Sequence, residues 1–290
     1  MILAVASGKG GTGKTTVSVN LASVYGAPVQ LADCDVEEPN CHLFLPGTMT
    51  ERETVGIPVP RVDESLCDGC GECGKFCQYH AIVSFGTTPL VFPEMCHGCG
   101  GCAKICPKSA ISEAEKRIGI VETRHSEKIT LTQGLLDIGV AMAPPLIRAV
   151  KKRLRSGITA ILDAPPGTSC PVITTLRGTD LVVLVTEPTP FGLHDLKLAV
   201  DMVRELHIPS GVVINRMGIG DDRVHAFCGK EGIPILLEIP DDRRIAETCS
   251  RGELIVAALP EYRSLFATLL CNIKELRGMK RRASHVRNEN

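Results

Sequence analysis

A glycine-rich loop near the amino terminus constrains the fold of this chain more than any other feature. Residues 2–7 form a short apolar run, and the segment Gly8-Lys9-Gly10-Gly11-Thr12-Gly13-Lys14-Thr15 follows it directly. Apolar periodicity over about residues 14–25 predicts a helix that begins within this loop. A second apolar run, residues 29–32, ends in Asp33-Cys34-Asp35. The order strand, loop, helix, strand predicts an α/β protein with a doubly wound, mainly parallel sheet.

The loop contains the phosphate-binding pattern G-x-x-x-x-G-K-[S/T], known as the P-loop. Glycines allow backbone N–H groups to surround phosphates, and the amino end of the following helix adds positive potential. We expect Lys14 to reach the β- and γ-phosphates and the Thr15 hydroxyl to hold Mg²⁺. A glycine turn that matches by chance is the alternative, but the flanking strand and helix argue against it. The predicted nucleotide-binding residues of the loop are Gly8, Gly10, Gly11, Thr12, Gly13, Lys14, Thr15 and Thr16.

A second lysine, Lys9, stands near the start of this loop. The run from Lys9 to Thr15 resembles the deviant P-loop of the MinD/ParA/Mrp ATPases. In that family the early lysine crosses a dimer interface and touches the nucleotide of the partner subunit. The resemblance therefore implies an ATP-dependent homodimer in which Lys9 assists slow ATP hydrolysis. The alternative for Lys9 alone is an ordinary solvated lysine.

Two aspartate motifs agree with this resemblance. Asp33-x-Asp35 stands where the family has its first switch, which implies that Asp33 supports Mg²⁺ and that Asp35 positions the attacking water. Asp163-Ala164-Pro165-Pro166-Gly167 resembles the Walker B aspartate and the second switch. There the resemblance implies that Asp163 holds Mg²⁺ and that the Gly167 amide senses the γ-phosphate. A lone aspartate at a strand end is otherwise an ordinary helix cap.

The adenine side of the site has weaker signals. Asn215-Arg216 follows an apolar run and resembles the motif that contacts adenine in these ATPases. Pro240-Asp241 is expected to add backbone contacts there. Asparagine at a strand end is also a common turn residue, and that alternative stays open.

Eight of the 14 cysteines form two runs with the same spacing, 29 residues apart. Cysteines with the spacing x₂, x₂, x₃ are typical of bacterial two-cluster ferredoxins, in which the fourth cysteine of each run reaches the other cluster. Paired C-x₂-C zinc knuckles are the alternative, which four ligands in one eleven-residue run disfavour. The predicted ligands are Cys67, Cys70, Cys73 and Cys106 for one [4Fe–4S] cluster, and Cys96, Cys99, Cys102 and Cys77 for the second.

These motifs predict a divided ATPase domain, residues 1–57 and 113–276, that carries a ferredoxin-like insert at residues 58–112. Residues 118–140 are extended and glycine-punctuated, which predicts a hairpin returning to the main sheet. A last helix over about residues 261–277 has an apolar face. Residues 277–290 are expected to form a basic, solvated tail.

The six remaining cysteines are expected to be buried thiols, with one exception. Cys170 follows Asp163 by seven residues, an offset similar to that of the cluster-binding cysteine in the nitrogenase iron protein. A metal held between subunits and a packed thiol remain alternatives for Cys170.

Composition limits the partners. The net charge is −1, there is no Trp, and aromatic residues are only 3%, which argues against a nucleic-acid partner. No apolar run is long enough to span a membrane, so we expect no membrane insertion. Abundant cysteines without a secretory signal favour the reducing cytoplasm over a disulfide scaffold.

Three functions fit these motifs. The first is ATP-gated electron transfer from two clusters to a redox partner, which a complete two-cluster motif favours. The second is an ATPase that assembles or carries iron–sulfur clusters for an apo-protein, as in the Mrp group. The third is a positioning ATPase like MinD or ParA, which only the basic tail favours.

Overall fold

The structure is a computed structural model that describes the backbone of residues 1–288 and the side chains of residues 1–278. Its strands, in chain order, are β1 (Ile2–Ala6), β2 (Val29–Asp33), β3 (Thr48–Val62), β4 (Ile82–Phe85), β5 (Thr88–Val91), β6 (Ile111–Ser126), β7 (Ile129–Leu136), β8 (Thr159–Asp163), β9 (Leu181–Thr186), β10 (Ser210–Met217) and β11 (Ile235–Pro240). Its helices are α1 (Lys14–Val24), α2 (Cys41–Phe44), α3 (Glu72–Phe76), α4 (Gly101–Ile105), α5 (Pro144–Lys152), α6 (Cys170–Leu176), α7 (Pro190–Glu205), α8 (Arg223–Glu231), α9 (Arg243–Ser250), α10 (Ile255–Ala258) and α11 (Glu261–Asn288), with a 3₁₀ turn at Pro93–Met95.

One sheet organises most of the described chain, with the strand order β11-β10-β9-β1-β8-β2-β7-β6-β3. The strands from β11 to β7 pair in parallel, whereas β6 pairs antiparallel with β7 and β3 pairs antiparallel with β6. The central strands β1, β8 and β9 are continuous apolar runs because helices cover both of their faces. The predicted doubly wound, mainly parallel α/β sheet is confirmed.

Two apolar layers hold the helices against the sheet. On one face, α5, α6, α7 and α8 bury side chains such as Leu146 and Val200. On the other face, α1, α10 and α11 pack around Leu21, Phe266 and Ile273, each of which is fully buried. Long-range burial of this kind supplies most of the stability of a doubly wound fold.

The cysteine-rich segment lies at the end of a long two-stranded ribbon. β6 pairs with β7 only from Ser126 to Gly119, and its remaining residues continue past the carboxyl end of β7 while still paired with β3. The short hairpin β4-β5 and the helices α3 and α4 lie beyond this ribbon. The insert therefore rises from the carboxyl edge of the sheet.

Several boundaries differ from the sequence-based expectations. The predicted limits of the insert, after residue 57 and after residue 112, fall inside β3 and β6. The first half of β3, residues 48–54, is exposed and polar, so it lacks the apolar alternation that indicates a strand. The expected hairpin over residues 118–140 is confirmed as β6 and β7.

The last helix is also longer than expected. The predicted end at residue 277 was wrong, since α11 runs from Glu261 to Asn288. The side chains of residues 279–290, which carry most of the predicted basic tail, lie outside the described part of the chain. Within the described residues, no helix has both the length and the apolar character needed to cross a bilayer.

Candidate nucleotide site and cysteine-lined cavities

The P-loop joins the end of β1 to the start of α1. Gly13, the residue before the helix, has φ +93°, a conformation that only glycine adopts without strain. At Gly8 a Cβ atom would lie 2.2 Å from the carbonyl oxygen of Asp195 in α7. The loop is therefore packed closely against α7, and a side chain at Gly8 would separate them.

Lys14 lies inside the site rather than on its surface, with 7% of its area exposed. Burial lowers the pKa of its ammonium group, and the nearby carboxylates of Asp163 and Asp35 oppose this effect. A desolvated ammonium group interacts more strongly with a bound polyphosphate than the ammonium group of a solvated lysine would. The geometry fits the predicted role of Lys14.

Asp163, at the carboxyl end of β8, accepts hydrogen bonds from α1. The Thr15 hydroxyl donates to its Oδ2 at 2.6 Å, and the Ser18 hydroxyl donates to its Oδ1 at 2.8 Å. Thr15 and Asp163 are thus already in contact, as two residues that share one Mg²⁺ environment should be. The sequence did not suggest Ser18, although it follows Lys14 by one helical turn.

Asp33 ends β2 directly beside Asp163, with which it is paired in the strand register. Its carboxylate accepts hydrogen bonds from the backbone amides of Asp35, Asn40 and Cys41 at 2.9 to 3.1 Å. Burial, and then the charge of Asp163, raises the pKa of Asp33 to about 7. Burial likewise raises the pKa of Asp163. Two buried carboxylates side by side favour the binding of a cation.

The Cys41 thiol was missed as a neighbour of this pair. Its sulfur lies 3.6 Å from Oδ2 of Asp163, and one ligand atom from each of Asp33, Cys41 and Asp163 lies within 4.8 Å of the others. Burial, and then the charge of Asp33, raises the pKa of the thiol well above its usual value. Cys41 is therefore a neutral thiol in the described structure.

Asp35, in the loop after β2, is near enough to Lys14 for their charges to interact. Burial raises the pKa of Asp35 to about 6, and the positive charge of Lys14 opposes the rise. The side chain is half-buried, so it can accept a hydrogen bond from a water molecule at the rim of the site.

The second-switch glycine lies next to β1. The Gly167 amide donates to the Ser7 carbonyl at 3.1 Å, so the group predicted to sense the γ-phosphate is engaged with the chain itself. Gly167 has φ +93°.

The adenine-side residues reach the P-loop from the opposite flank. Asn215 donates from Nδ2 to the Thr12 carbonyl at 2.9 Å. The Asp241 amide donates to the Met217 carbonyl at 2.9 Å, and Pro240 pairs with Met217 in the sheet. The structure thus brings Asn215 against the loop, while Pro240 and Asp241 lie one strand further out.

Lys9 and Arg216 share one partner that sequence reasoning missed, Glu187. Lys9 Nζ lies 3.2 Å from Glu187 Oε2, and Arg216 Nη1 lies 2.9 Å from Oε1. Of the other loop residues, Gly10 and Gly11 are exposed, and Thr16 Oγ1 lies 3.8 Å from the sulfur of Cys249.

The eight motif cysteines line two separate cavities in the insert. One cavity is lined by four of them: Cys67, Cys70, Cys73 and Cys106. The other is lined by the remaining four: Cys77, Cys96, Cys99 and Cys102. This division matches the interleaved pairing expected from the spacing. Each cavity offers four thiol groups, the donor set that a [4Fe–4S] cluster takes.

The backbone around these cysteines is repeated in both halves. α3 follows Gly71 and α4 follows Gly100, and both glycines have left-handed backbone conformations. Amides also point at sulfur: Gly98 donates to Cys96 at 3.4 Å, and Ala110 donates to Cys106 at 3.3 Å. Amide donors of this kind stabilise the negative charge of thiolate ligands.

The cysteines outside the motif are divided between core and surface. Cys34, Cys41 and Cys228 are buried and Cys249 is half-buried. Cys170 is exposed at the first turn of α6, and Cys271 is exposed on α11, so the expectation of a buried thiol was wrong for Cys271. Cys170 is therefore accessible, and its predicted role stays a prediction.

Comparisons with known proteins agree with this geometry. Residues 3–255 match the family described as the CobQ/CobB/MinD/ParA nucleotide binding domain. An uncharacterised protein of Methanocaldococcus jannaschii is 34% identical over 260 residues, which cover 87% of this chain and 90% of that protein. An iron-sulfur cluster carrier protein of Aquifex aeolicus is 28% identical over 283 residues, which cover 90% of this chain and 63% of that protein.

A solved structure shares the fold. The septum site-determining protein MinD of Pyrococcus horikoshii, in complex with Mg-ADP, superposes with a TM-score of 0.60. The match covers 96% of this chain and 98% of that chain at 21% identity. The resemblance to MinD/ParA-type P-loop proteins is thereby confirmed. The chain belongs to the CobQ/CobB/MinD/ParA nucleotide-binding family.

Proposed function

We propose that this protein is an ATPase whose nucleotide-switched dimer controls two [4Fe–4S] clusters and gates electron transfer from them to a protein partner. One observation carries the proposal. The ribbon that bears the two cysteine-lined cavities rises from the same sheet edge at which the P-loop, Asp33 and Asp163 lie. Binding or hydrolysis of ATP would therefore take place beside the base of the cysteine-bearing ribbon.

On the nucleotide side, Thr15, Asp33 and Asp163 would hold Mg²⁺, which neutralises phosphate charge when it is bound. Lys14 binds the β- and γ-phosphates from its buried position. Asp35 orients the attacking water, and Asn215 with Arg216 flanks the adenine. Hydrolysis to ADP and phosphate is expected to be slow, because the transition-state charge would have to come from Lys9 of a second copy of this chain.

On the insert side, the eight cysteines would hold the clusters, which take up and release single electrons when bound. Cys73 and Cys96 are 8% exposed, whereas Cys70 and Cys99 are exposed. Each cavity thus has a shielded wall and an open side. The open sides suit electron exchange with a redox protein, and the shielded walls suit resident clusters.

A short series of contacts joins the first switch to the ribbon. The Leu136 amide of β7 donates to the carbonyl of Val36, the residue after Asp35, at 2.8 Å. The next residue, Asp137, accepts two hydrogen bonds from Arg117 of β6 at 2.8 and 3.0 Å. Movement of the first switch would therefore pull directly on the strand that carries the insert.

The trans role of Lys9 is tested by Lys9→Ala. We expect the variant to bind nucleotide but to lose ATP turnover and ATP-dependent dimerisation, because the partner's phosphates lose their added positive charge. Phosphate release and sedimentation velocity measure the two properties. Lys230→Ala, an exposed lysine on α8, is the matched control. Wild-type turnover in Lys9→Ala would contradict the trans-lysine mechanism.

A second function has support of its own, namely delivery of iron–sulfur clusters to an apo-protein. Relatives from Aquifex aeolicus and Pyrococcus horikoshii bear the name iron-sulfur cluster carrier protein. The exposed thiols of Cys70, Cys99 and Cys170 would give an acceptor access to a cluster. A positioning role like that of MinD is supported by the shared fold and by the basic sequence near residue 280.

One anaerobic experiment separates these functions. Iron and sulfide are quantified, and the cluster signal is followed by EPR during redox titration with and without Mg·ATP. Two clusters per chain that stay bound while their potential shifts with nucleotide support gated electron transfer. Transfer of a cluster to an apo-ferredoxin, with no shift in potential, supports the carrier function. Absence of iron after anaerobic reconstitution would contradict both.

A further inference from the structure

Glu187 occupies a position that no sequence motif pointed to. It follows β9 at the carboxyl edge of the sheet and is 7% exposed. Its two carboxylate oxygens face two cations, Lys9 at 3.2 Å and Arg216 at 2.9 Å. One nearly buried carboxylate therefore ties the P-loop to the adenine-side segment.

The backbone holds this carboxylate in place. The Glu187 carbonyl accepts a hydrogen bond from the Thr189 amide at 2.8 Å. Gly192, in the first turn of α7, lies so close that a Cβ there would be 2.2 Å from the same carbonyl. Because the turn between β9 and α7 is packed this tightly, the main chain of Glu187 is fixed beside the P-loop.

Lys9 is held from both ends in this arrangement. The Ser7 hydroxyl donates to the Lys9 carbonyl at 2.5 Å, and Glu187 holds the ammonium group. The Lys9 side chain is still 32% exposed, so the ammonium group can leave for a stronger anion. A triphosphate carries more negative charge than one carboxylate that is already shared with Arg216.

We propose that Glu187 is a positioning residue for Lys9, which it holds within its own subunit until the phosphates of ATP on a second copy of this chain compete for it. The inference rests on the dimer of the proposed function. When Lys9 leaves, Glu187 remains paired with Arg216, so no buried charge is stranded and the exchange is reversible. Glu187 thereby sets the nucleotide concentration at which the dimer forms.

The test uses the full-length holoprotein and the non-hydrolysable analogue AMPPNP. In Glu187→Gln, the phosphates no longer compete with a carboxylate for Lys9. Half-maximal dimerisation should therefore occur at an AMPPNP concentration at least about threefold lower than in the wild type, which is the effect expected from loss of a partly solvated ion pair. Sedimentation velocity measures the dimer. With ATP, the KM for hydrolysis should fall while kcat is retained, which a loosened structure would not produce.

Two further variants accompany the measurement. Glu231→Gln removes a comparable partner from Arg204, 2.8 Å away and outside the site, and should leave the threshold unchanged. Glu187→Asp keeps the charge, and therefore the fold, but withdraws the carboxylate, so its threshold should lie between those of the wild type and Glu187→Gln. This variant decides the matter if Glu187→Gln does not fold.

The outcomes distinguish the inference from the proposed function. If both Glu187 variants dimerise at or above the wild-type threshold while Lys9→Ala does not dimerise, Lys9 acts in trans but Glu187 does not restrain it, and the inference is overturned. If Lys9→Ala dimerises and hydrolyses ATP like the wild type, the trans-lysine mechanism fails first. A lowered threshold in Glu187→Gln, with Lys9→Ala monomeric, supports the inference.

Discussion

The nucleotide-binding body and the cysteine-rich insert are stabilised in different ways. The body buries two extensive apolar layers, one on each face of its sheet. The separate core of the insert, by contrast, has Cys73, Ile82 and Ile111 as its buried residues, and three further motif cysteines, Cys77, Cys102 and Cys106, pack against it. A segment of this size with so few buried apolar groups needs staples or metal to stay folded. The comparison predicts that the body is stable by itself, whereas the insert depends on bound metal to stay folded.

For its length, the insert also exposes more large apolar side chains than the body. Of the 14 large hydrophobic side chains exposed in the described residues, seven lie within residues 58–112, namely Leu66, Phe76, Tyr79, Phe85, Leu90, Phe92 and Met95. Apolar residues that are not buried add nothing to the stability of the insert. They agree with a region that meets other proteins.

Removal of iron tests this difference most strongly. We expect anaerobic chelation to unfold the insert while the body stays folded, because only the insert depends on metal–thiolate bonds. Hydrogen exchange measured by mass spectrometry should show residues 67–106 losing protection and β1, β8 and α11 keeping theirs. A protected insert without iron would contradict the comparison.

Loss of a single ligand should have a smaller and local effect. Cys73→Ala is expected to lose about half of the iron, since it removes a proposed ligand of one of the two proposed clusters. Cys170→Ala, an exposed cysteine outside both cavities, is the matched control and should retain all of it if Cys170 holds no shared metal. Iron and sulfide analysis of both variants decides, and equal losses would show that Cys170 takes part.

A core substitution in the body should lower the stability of the protein without changing its iron content. Phe266 is fully buried in α11, so Phe266→Ala should lower the free energy of unfolding by about 3–5 kcal/mol and leave the iron content unchanged. Phe85→Ala, at a side chain that is 69% exposed in the insert, should change it by less than about 0.5 kcal/mol. Chemical denaturation followed by circular dichroism measures both. Iron loss in Phe266→Ala would mean that the two regions are less independent.

The contact between the regions should give the smallest effect on stability. Arg117 and Asp137 are exposed enough that their ion pair contributes at most about 1 kcal/mol. Arg117→Gln should nevertheless reduce the shift in cluster potential caused by Mg·ATP, with ATP turnover retained. Arg223→Gln, which removes an exposed pair with Asp221 on the opposite flank, is the control. An unchanged potential shift would exclude this pair as the connection.

Much of the fold was predictable because its signals are local. β1, β8 and β9 are short, continuous and largely apolar runs, and buried parallel strands have that pattern. β3 escaped prediction because its exposed half is polar on both faces and is defined only by its partner β6. The length of α11 was not predicted, because the charged residues near its end are as typical of a solvated tail as of a helix.

The candidate site divides in the same way. Lys14 and Thr15 were predictable because the P-loop works through residues that are adjacent in the chain. Ser18, Cys41 and Glu187 were not. Cys41 contacts Asp163 although 122 positions separate them in the chain. Glu187 and Lys9 are likewise far apart in the chain and meet because β9 lies beside β1 in the sheet. Nothing in the neighbouring sequence marks such a contact.

By itself, the sequence determined the phosphate-binding loop, the parallel α/β class and the division of eight cysteines into two sets of four. Each depends on residues that are close together in the chain, and such local patterns have the same structural consequence in many folds. Only the tertiary structure placed the insert at the edge that carries Asp33 and Asp163 and paired Glu187 with Lys9 of the P-loop. Strand order and long-range packing bring these groups together, and both result from burying apolar surface over the whole chain.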